Sequence, residues 1–199
     1  MAKSSLLLLL LLLSILSIAA AAAAGASSPS SATFIKAKCS ATKYPDLCVR
    51  SLSPYASEIQ QNSWKLAATA LNVSLATAQS AKAFVGRLSR AKGMRPREVE
   101  ALHDCVDEMA DTVYRLNRSC GELERAGRAR REEFLWRISN VQTWVSAALT
   151  DDNTCTDGFP GQILNGRVKA SVSSGMLSVE HSTSNALALI NQYASKHNM

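Results

Sequence analysis

Apolar residues recur in steps of three and four along most of the chain, and this spacing predicts helices separated by short polar breaks. Leu66, Ala70, Val73, Thr77, Phe84 and Leu88 mark one stripe, with a weaker turn around Ser80. Leu102, Val106, Met109, Val113 and Leu116 mark a second. Phe134, Ile138, Val141, Val145 and Leu149 mark a third, expected to stop at the polar cluster Asp151, Asp152 and Asn153. The clearest period is the last: Val168, Val172, Gly175, Val179, Ser182, Ala186, Leu189 and Tyr193 trace a helix of about thirty residues. Several of its stripe positions are small, which permits close helix approach. Breaks at Gly93 and Pro96, around Gly121 and Gly127, and at Gly158, Pro160 and Gly161 separate the stripes. Alternating strand patterns are nearly absent. The expected fold is all-α: an up-down-up-down four-helix bundle, preceded by a short helical appendage over Cys39 to Leu52 that contains Pro45.

Composition changes this picture at the N-terminus. The chain has 199 residues, enough for one ordinary domain, and 47% of them are hydrophobic. That share is inflated by the unbroken runs Leu6 to Leu13 and Ala19 to Ala24. Lys3, the apolar stretch to Ile18, and the small residues Ala24, Gly25 and Ala26 have the order of a secretory signal peptide. Residues 1–26 are therefore expected to be cleaved, leaving a domain over residues 27–199. No later segment approaches the length of apolar chain needed to span a bilayer, so a secreted protein without a membrane anchor is expected.

Secretion makes the five cysteines candidates for disulfides. None forms a CxxC pair, which argues against a redox motif or a zinc ribbon. Cys39 and Cys48 would close a loop of about ten residues, contributing about 2.7 kcal/mol by loop-closure entropy. A bridge from Cys155 back to Cys105 would close about fifty residues and contribute about 4 kcal/mol. Spacing alone does not choose between Cys105 and Cys120 for that bridge, and one thiol is left over.

Catalytic patterns are missing. There are three histidines, and no GxSxG elbow, HExxH, P-loop or Rossmann glycine pattern occurs. His103 with Asp104, Asp107 and Glu108 has ligand-type side chains but lacks the second Glu/His copy that bundle metal sites use, so a solvated helix face is the better reading. No metal and no cofactor are expected. His181, one position before Ser182, reads as a partly buried structural histidine. The formal net charge of +6 gathers in two regions: Lys82, Arg87, Arg90, Lys92, Arg95 and Arg97, and then Arg125, Arg128, Arg130, Arg131 and Arg137. Without interleaved aromatics these do not suggest nucleic acid. A polyanionic extracellular matrix fits better, because positive fields concentrate a protein at such a surface.

Four blocks of sequence carry a resemblance. Cys39, Thr42 and Tyr44-Pro45-Asp46-Leu47-Cys48 come first, followed by Ala101-Leu102-His103-Asp104-Cys105. Trp144-Val145-Ser146-Ala147-Ala148-Leu149-Thr150 then leads to Thr154-Cys155, and Ser184-Asn185-Ala186-Leu187-Ala188-Leu189-Ile190 closes the set. In this order and spacing they are similar to the plant invertase and pectin methylesterase inhibitor family. The resemblance implies a four-helix bundle after a helical hairpin, the bridges Cys39–Cys48 and Cys105–Cys155, and Cys120 as the odd thiol. It implies a non-enzyme that blocks a cell-wall enzyme in a 1:1 complex, in the apoplast. Basic charge and the wording of the final block favour pectin methylesterase as target over acid invertase. The Pro-Lys-Phe tripeptide of some invertase inhibitors is absent, with Gly158-Phe159-Pro160 after the last cysteine instead.

The resemblance also assigns partner contacts to Asp107 and Asp111, to Thr154 and Asp157, and to Gln142 on the neighbouring helix. Asp104, Asp107, Glu108 and Asp111 follow i, i+3, i+4 and i+7, so their carboxylates share one helix face. The bridge at Cys155 is expected to hold a loop bearing Thr154 and Asp157 beside that face. A polar, acidic surface of this kind would lie across the esterase's substrate cleft, and the basic segments would make weak contact with pectin. A bundle carrying a small apolar ligand is the non-inhibitor alternative, disfavoured by low aromatic content. Asn72-Val73-Ser74 and Asn117-Arg118-Ser119 are candidate glycosylation sites, with Asn117 favoured for an expected position near a helix end.

Overall fold

The computed structural model describes residues 29–159 and 166–196. The expected signal peptide lies outside the described residues, as do Pro160 and Gly161. Helices α1 (Pro29–Cys39) and α2 (Pro45–Leu52) form the N-terminal hairpin, followed by a 3-10 turn over Ser53–Tyr55 and the short α3 (Ala56–Ile59). Four long helices follow: α4 (Ser63–Leu88), α5 (Pro96–Ala126), α6 (Arg131–Asp157) and α7 (Gly166–Ser195). Each long helix packs against two others, α5 on α4 and α6, α7 on α4 and α6, so the four close a ring around one core. No strand occurs among the described residues.

Local chemistry explains the helix boundaries. Asn62 caps α4 by accepting from the Lys65 amide at 3.0 Å. Gly93, at φ 82°, takes the left-handed conformation that lets the α4–α5 turn reverse. Pro96 opens α5, where a missing amide donor costs nothing, and Glu98 reaches back to accept from the Arg95 amide at 2.8 Å. Gly127 ends α5 for a different reason. A Cβ there would come 2.6 Å from the indole nitrogen of Trp64, which donates to the Leu123 carbonyl.

The stripes on α6 and α7 are buried where the spacing puts them, at Phe134, Ile138, Val141 and Val145 and at Val172, Val179, Ala186, Leu189 and Tyr193, while those on α4 and α5 are partly displaced. On α4 the buried line is Ala67, Leu71, Ser74, Ala78, Ala81 and Val85, one residue round from the expected Val73, Thr77, Phe84 and Leu88, which are only half-buried. On α5 it is Leu102, Cys105, Met109, Thr112, Leu116, Ser119 and Leu123, with Val106 and Val113 on the flank toward α4. Ala67, Ser74, Ala78 and Ala81 let the helices approach closely, and Leu71, Val85, Leu102, Met109, Leu116 and Leu123 fill the space between them. Buried hydroxyls find partners there: Ser74 and Thr183 share a hydrogen bond of 2.6 Å between α4 and α7. Three further expectations change. α6 passes through Asp151, Asp152 and Asn153 and ends at Asp157; Gly121 sits inside α5; and α1 extends the N-terminal appendage back to Pro29.

The hairpin is closed by the Cys39–Cys48 bridge, with Cα atoms 5.6 Å apart. Its apolar side, including Ile35 and Leu52, packs together with Ile59 of α3 against Leu66, Ala70, Ala186 and Leu189 of α4 and α7. Polar anchoring is concentrated on Tyr44. Its amide donates to Asn185 Oδ1 at 3.0 Å, its carbonyl accepts from Asn185 Nδ2 at 2.9 Å, and its hydroxyl donates to Glu180 at 3.0 Å. The Tyr44 ring stacks on half-buried His181 with centroids 3.7 Å apart.

Candidate functional site

The second bridge, Cys105–Cys155, joins α5 to α6 with Cα atoms 4.3 Å apart. Cys120 is the free cysteine. Because Asp107 follows Cys105 by two residues while Thr154 and Asp157 flank Cys155, the bridge gathers these three at one end of the α5/α6 pair. Thr154 and Asp157 are not on a loop: both belong to the last turns of α6, and both are exposed. The Thr154 hydroxyl donates to the Thr150 carbonyl at 2.9 Å, so toward a partner it offers lone pairs rather than a proton.

Asp104, Asp107 and Asp111 are exposed on the outer face of α5, and Glu108 is half-buried on the side facing α6. Asp151 of α6 joins them, only 9% exposed, and Arg115 Nε donates to its Oδ2 at 2.6 Å. Burial pushes the Glu108 carboxyl above the usual carboxylate range; Asp151, Asp111 and Asp104 add to the effect, and Arg115 opposes it. The face is therefore a strip of carboxylates from two helices with one arginine set into it. Among the described residues, no group of three or more such side chains is arranged to hold a metal ion.

Beyond Asp111 the strip becomes aromatic. Arg118 lies 4.7 Å from the ring centre of Trp144 on α6 and 5.7 Å from that of Tyr114, whose hydroxyl accepts from its Nη1 at 2.9 Å. Tyr114 is 57% exposed. Tyr114 and Arg118 form an i, i+4 pair that could be read from sequence, whereas Trp144 joins them only through the α5/α6 packing. Gln142 is not part of this face. It donates to Asn191 of α7 at 2.7 Å and lies about 20 Å along α6 from Cys155 by helical rise.

A deeper carboxyl lies behind the strip. Asp152 is 1% exposed, and its Oδ1 has no hydrogen-bond partner among the described residues. Burial, with Glu180 of α7 adding to it, pushes its pKa up to about 7. Periodicity marked Asp152 as a helix terminator; in the bundle it is a core position.

A family profile described as plant invertase/pectin methylesterase inhibitor matches residues 33–189. This chain belongs to the plant invertase/pectin methylesterase inhibitor family. Within it, the chain is 50% identical over 165 residues to Pectinesterase inhibitor 11 of Arabidopsis thaliana, covering 82% of each protein. It is 49% identical over 164 residues to the 21 kDa protein of Daucus carota, covering 82% of this chain and 85% of that one. The crystal structure of a mutant form of a pectin methylesterase inhibitor from Arabidopsis superposes with a TM-score of 0.61 at 23% identity, over 77% of this chain and 92% of that one. That likeness shows the shared helical fold.

The two candidate glycosylation sites also differ from expectation. Asn117 is exposed but lies within α5, well before its end at Ala126, so proximity to a helix end does not distinguish it. Asn72 is exposed on α4 and accepts from the Cys120 thiol at 3.4 Å. The basic regions divide as well. Arg125 and Arg137 are engaged with Glu122 at 3.0 Å each, Arg137 also with Glu133, and Arg95 with Glu98.

Proposed function

We propose that this chain is a secreted inhibitor of pectin methylesterase that occupies the enzyme's substrate cleft in a 1:1 complex and performs no catalysis itself. The observation that carries the reading is half-identity, across four-fifths of both chains, to a protein named as a pectinesterase inhibitor. The surface chemistry supports it. An enzyme cleft that receives a polyanion offers cations and hydrogen-bond donors, and Asp107, Asp111, Asp157 and the Thr154 lone pairs would meet them. Exposed pairs of this kind contribute about 0.2–1 kcal/mol each. The larger share of affinity would come from desolvating Tyr114, Arg118 and Trp144, the residue types that dominate interface energetics. Gln142 would contact the enzyme only if the interface also reached the α6/α7 seam.

Residues 1–26 would act as the signal peptide that delivers the protein to the apoplast, where pectin is de-esterified. Asn72 and Asn117 would both be available to glycosylation there. The deciding experiment titrates the purified protein separately into pectin methylesterase and acid invertase. A stoichiometric fall in the esterase rate with the invertase rate unchanged is the expected result; the reverse would assign the chain to the invertase branch.

A further inference from the structure

We propose that the groove between α4 and α5 is a binding site for a linear polyuronate, an acidic polysaccharide with free carboxylates. The groove encloses about 470 Å³ and runs along the face of α5 that turns away from the acidic strip. Its walls carry Lys82, Arg87 and Arg90, and its floor is apolar, formed by Gly86 with Val106 and Val113. None of these three cations takes part in an ion pair found among the described residues, and no carboxylate lines the groove. This distinguishes it from the pocket of about 430 Å³ at the α5–α6 turn. There, Arg125 and Arg137 are already paired, and Glu124 and Glu133 share the lining.

Three features select the ligand. Lys82 and Arg87 are about 8 Å apart along α4 by helical rise and Arg90 lies on the turn beyond its end, so an occupant that meets all three is a chain rather than a single small anion. The cations set along the walls match carboxylates repeated along such a chain. The valine and glycine floor offers nothing to a second row of charges but does fit the C–H face of a pyranose ring, while Gln79 at the groove supplies an amide for hydroxyls. Uronate, rather than another acidic sugar, rests on the proposed function, under which the protein works where galacturonate carboxylates are being freed. With the acidic strip on the α6 side of α5 and the groove on the α4 side, one molecule would hold enzyme and polymer together.

The test measures retention of the full mature protein on immobilised, fully de-esterified oligogalacturonate and on immobilised polyphosphate. The triple variant Lys82→Gln, Arg87→Gln, Arg90→Gln should lose about tenfold or more of its oligogalacturonate affinity. A control with the same net charge, Arg128→Gln, Arg130→Gln, Arg131→Gln, should lose less than about threefold. Gly86→Leu, which keeps every charge and fills the floor, should weaken oligogalacturonate binding and leave polyphosphate binding as it was. Should Leu fail to fold, Gly86→Ala serves with a smaller effect, since its Cβ would sit in ordinary contact 3.9 Å from Val106. Equal losses in the triple variant and the control would overturn the proposal, leaving only net charge. Indifference of oligogalacturonate binding to Gly86→Leu and Gly86→Ala would also overturn it, because the sugar face would then play no part. Inhibition of pectin methylesterase, assayed on highly methyl-esterified pectin, should be the same for wild type and the triple variant. If wild type does not inhibit, the proposed function fails while the binding result stands; if the triple variant alone fails to inhibit, the groove belongs to the enzyme interface and the proposal is overturned.

Discussion

Arg115 Nε donates to Asp151 Oδ2 at 2.6 Å, tying α5 to α6 at the inner edge of the acidic strip. The pair is half-sheltered, and Glu108 stands beside it with its own carboxyl raised by burial and by Asp151. Removing the cation would leave two sheltered carboxyls facing each other. Arg115→Ala should therefore lower stability by about 1–3 kcal/mol. Adding Asp151→Asn should recover part of the loss, as read from urea unfolding midpoints in a double-mutant cycle.

Asp107 and Asp111 are exposed on α5 and take part in no ion pair found among the described residues, so they can be neutralised without disturbing the bundle. The double variant Asp107→Ala, Asp111→Ala should weaken inhibition of pectin methylesterase by about two- to thirtyfold, the sum of two exposed pairs. Its unfolding midpoint should match wild type. Unchanged inhibition would remove this face from the interface.

Asp152 gives the fold a pH dependence. Its carboxyl is raised to about 7 in the folded protein from an ordinary 3.8. The folded state thus holds a proton that the unfolded chain releases earlier. Stability from this group is fully present below about pH 4 and is lost as the pH rises toward 7, by up to a few kcal/mol. Glu180 faces it from α7 and itself accepts from Tyr44 and pairs with Lys43, so the charge that opposes ionisation of Asp152 is held in place by the hairpin. Asp152→Asn should flatten the rise in unfolding free energy on going from pH 7 to pH 5. Glu122 acts in the opposite sense: burial pushes it up, but hydrogen bonds from Arg125, Asn140 and Arg137 and the Arg137 charge outweigh this and hold it below its usual value. Its contribution is lost only when the pH falls below the ordinary carboxylate range.

The free thiol of Cys120 should be slow. Burial, with Glu124 adding to it, pushes its pKa from 9.0 up to about 11, a roughly hundredfold smaller thiolate fraction at neutral pH. Alkylation by iodoacetamide at pH 7 should run about a hundredfold slower than for an ordinary cysteine and speed up on unfolding. Alkylation at the ordinary rate would contradict this environment.

Severing the Cys105–Cys155 bridge should be costly because it closes about fifty residues of chain. The double serine variant should lose about 2–5 kcal/mol. Inhibition should also weaken, since the same bridge holds Asp107 beside Thr154 and Asp157.

Much of this was legible in the residues alone. Steps of three and four along Leu102 to Leu116 and Phe134 to Val145 announce long amphipathic helices, Pro96 and Gly93 mark a turn, and the four cysteine blocks point to the family and its bridges. These signals are local: propensity, capping and left-handed glycine geometry act within a few residues. The errors have a common cause. Val73, Thr77 and Phe84 looked like the core of α4, but Ala67, Leu71, Ser74, Ala78 and Val85 face inward, because which side of α4 is covered is set by how α5 and α7 pack against it. Asp151 and Asp152 looked like a stop signal and are a core position and its neighbour, for ionisation and pairing depend on what α5 and α7 bring to them. Arg95 and Arg125 find their carboxylates, Glu98 and Glu122, within one turn of their own helix, whereas Arg137 reaches Glu122 only because α6 packs on α5, and Lys82, Arg87 and Arg90 are brought to one groove by the packing of α4 on α5. Periodicity along one helix says how it turns and which charges can pair within a turn; the desolvation of each side chain and the partners that reach it from another helix are set by segments distant in sequence, and those decide which charges remain available to another molecule.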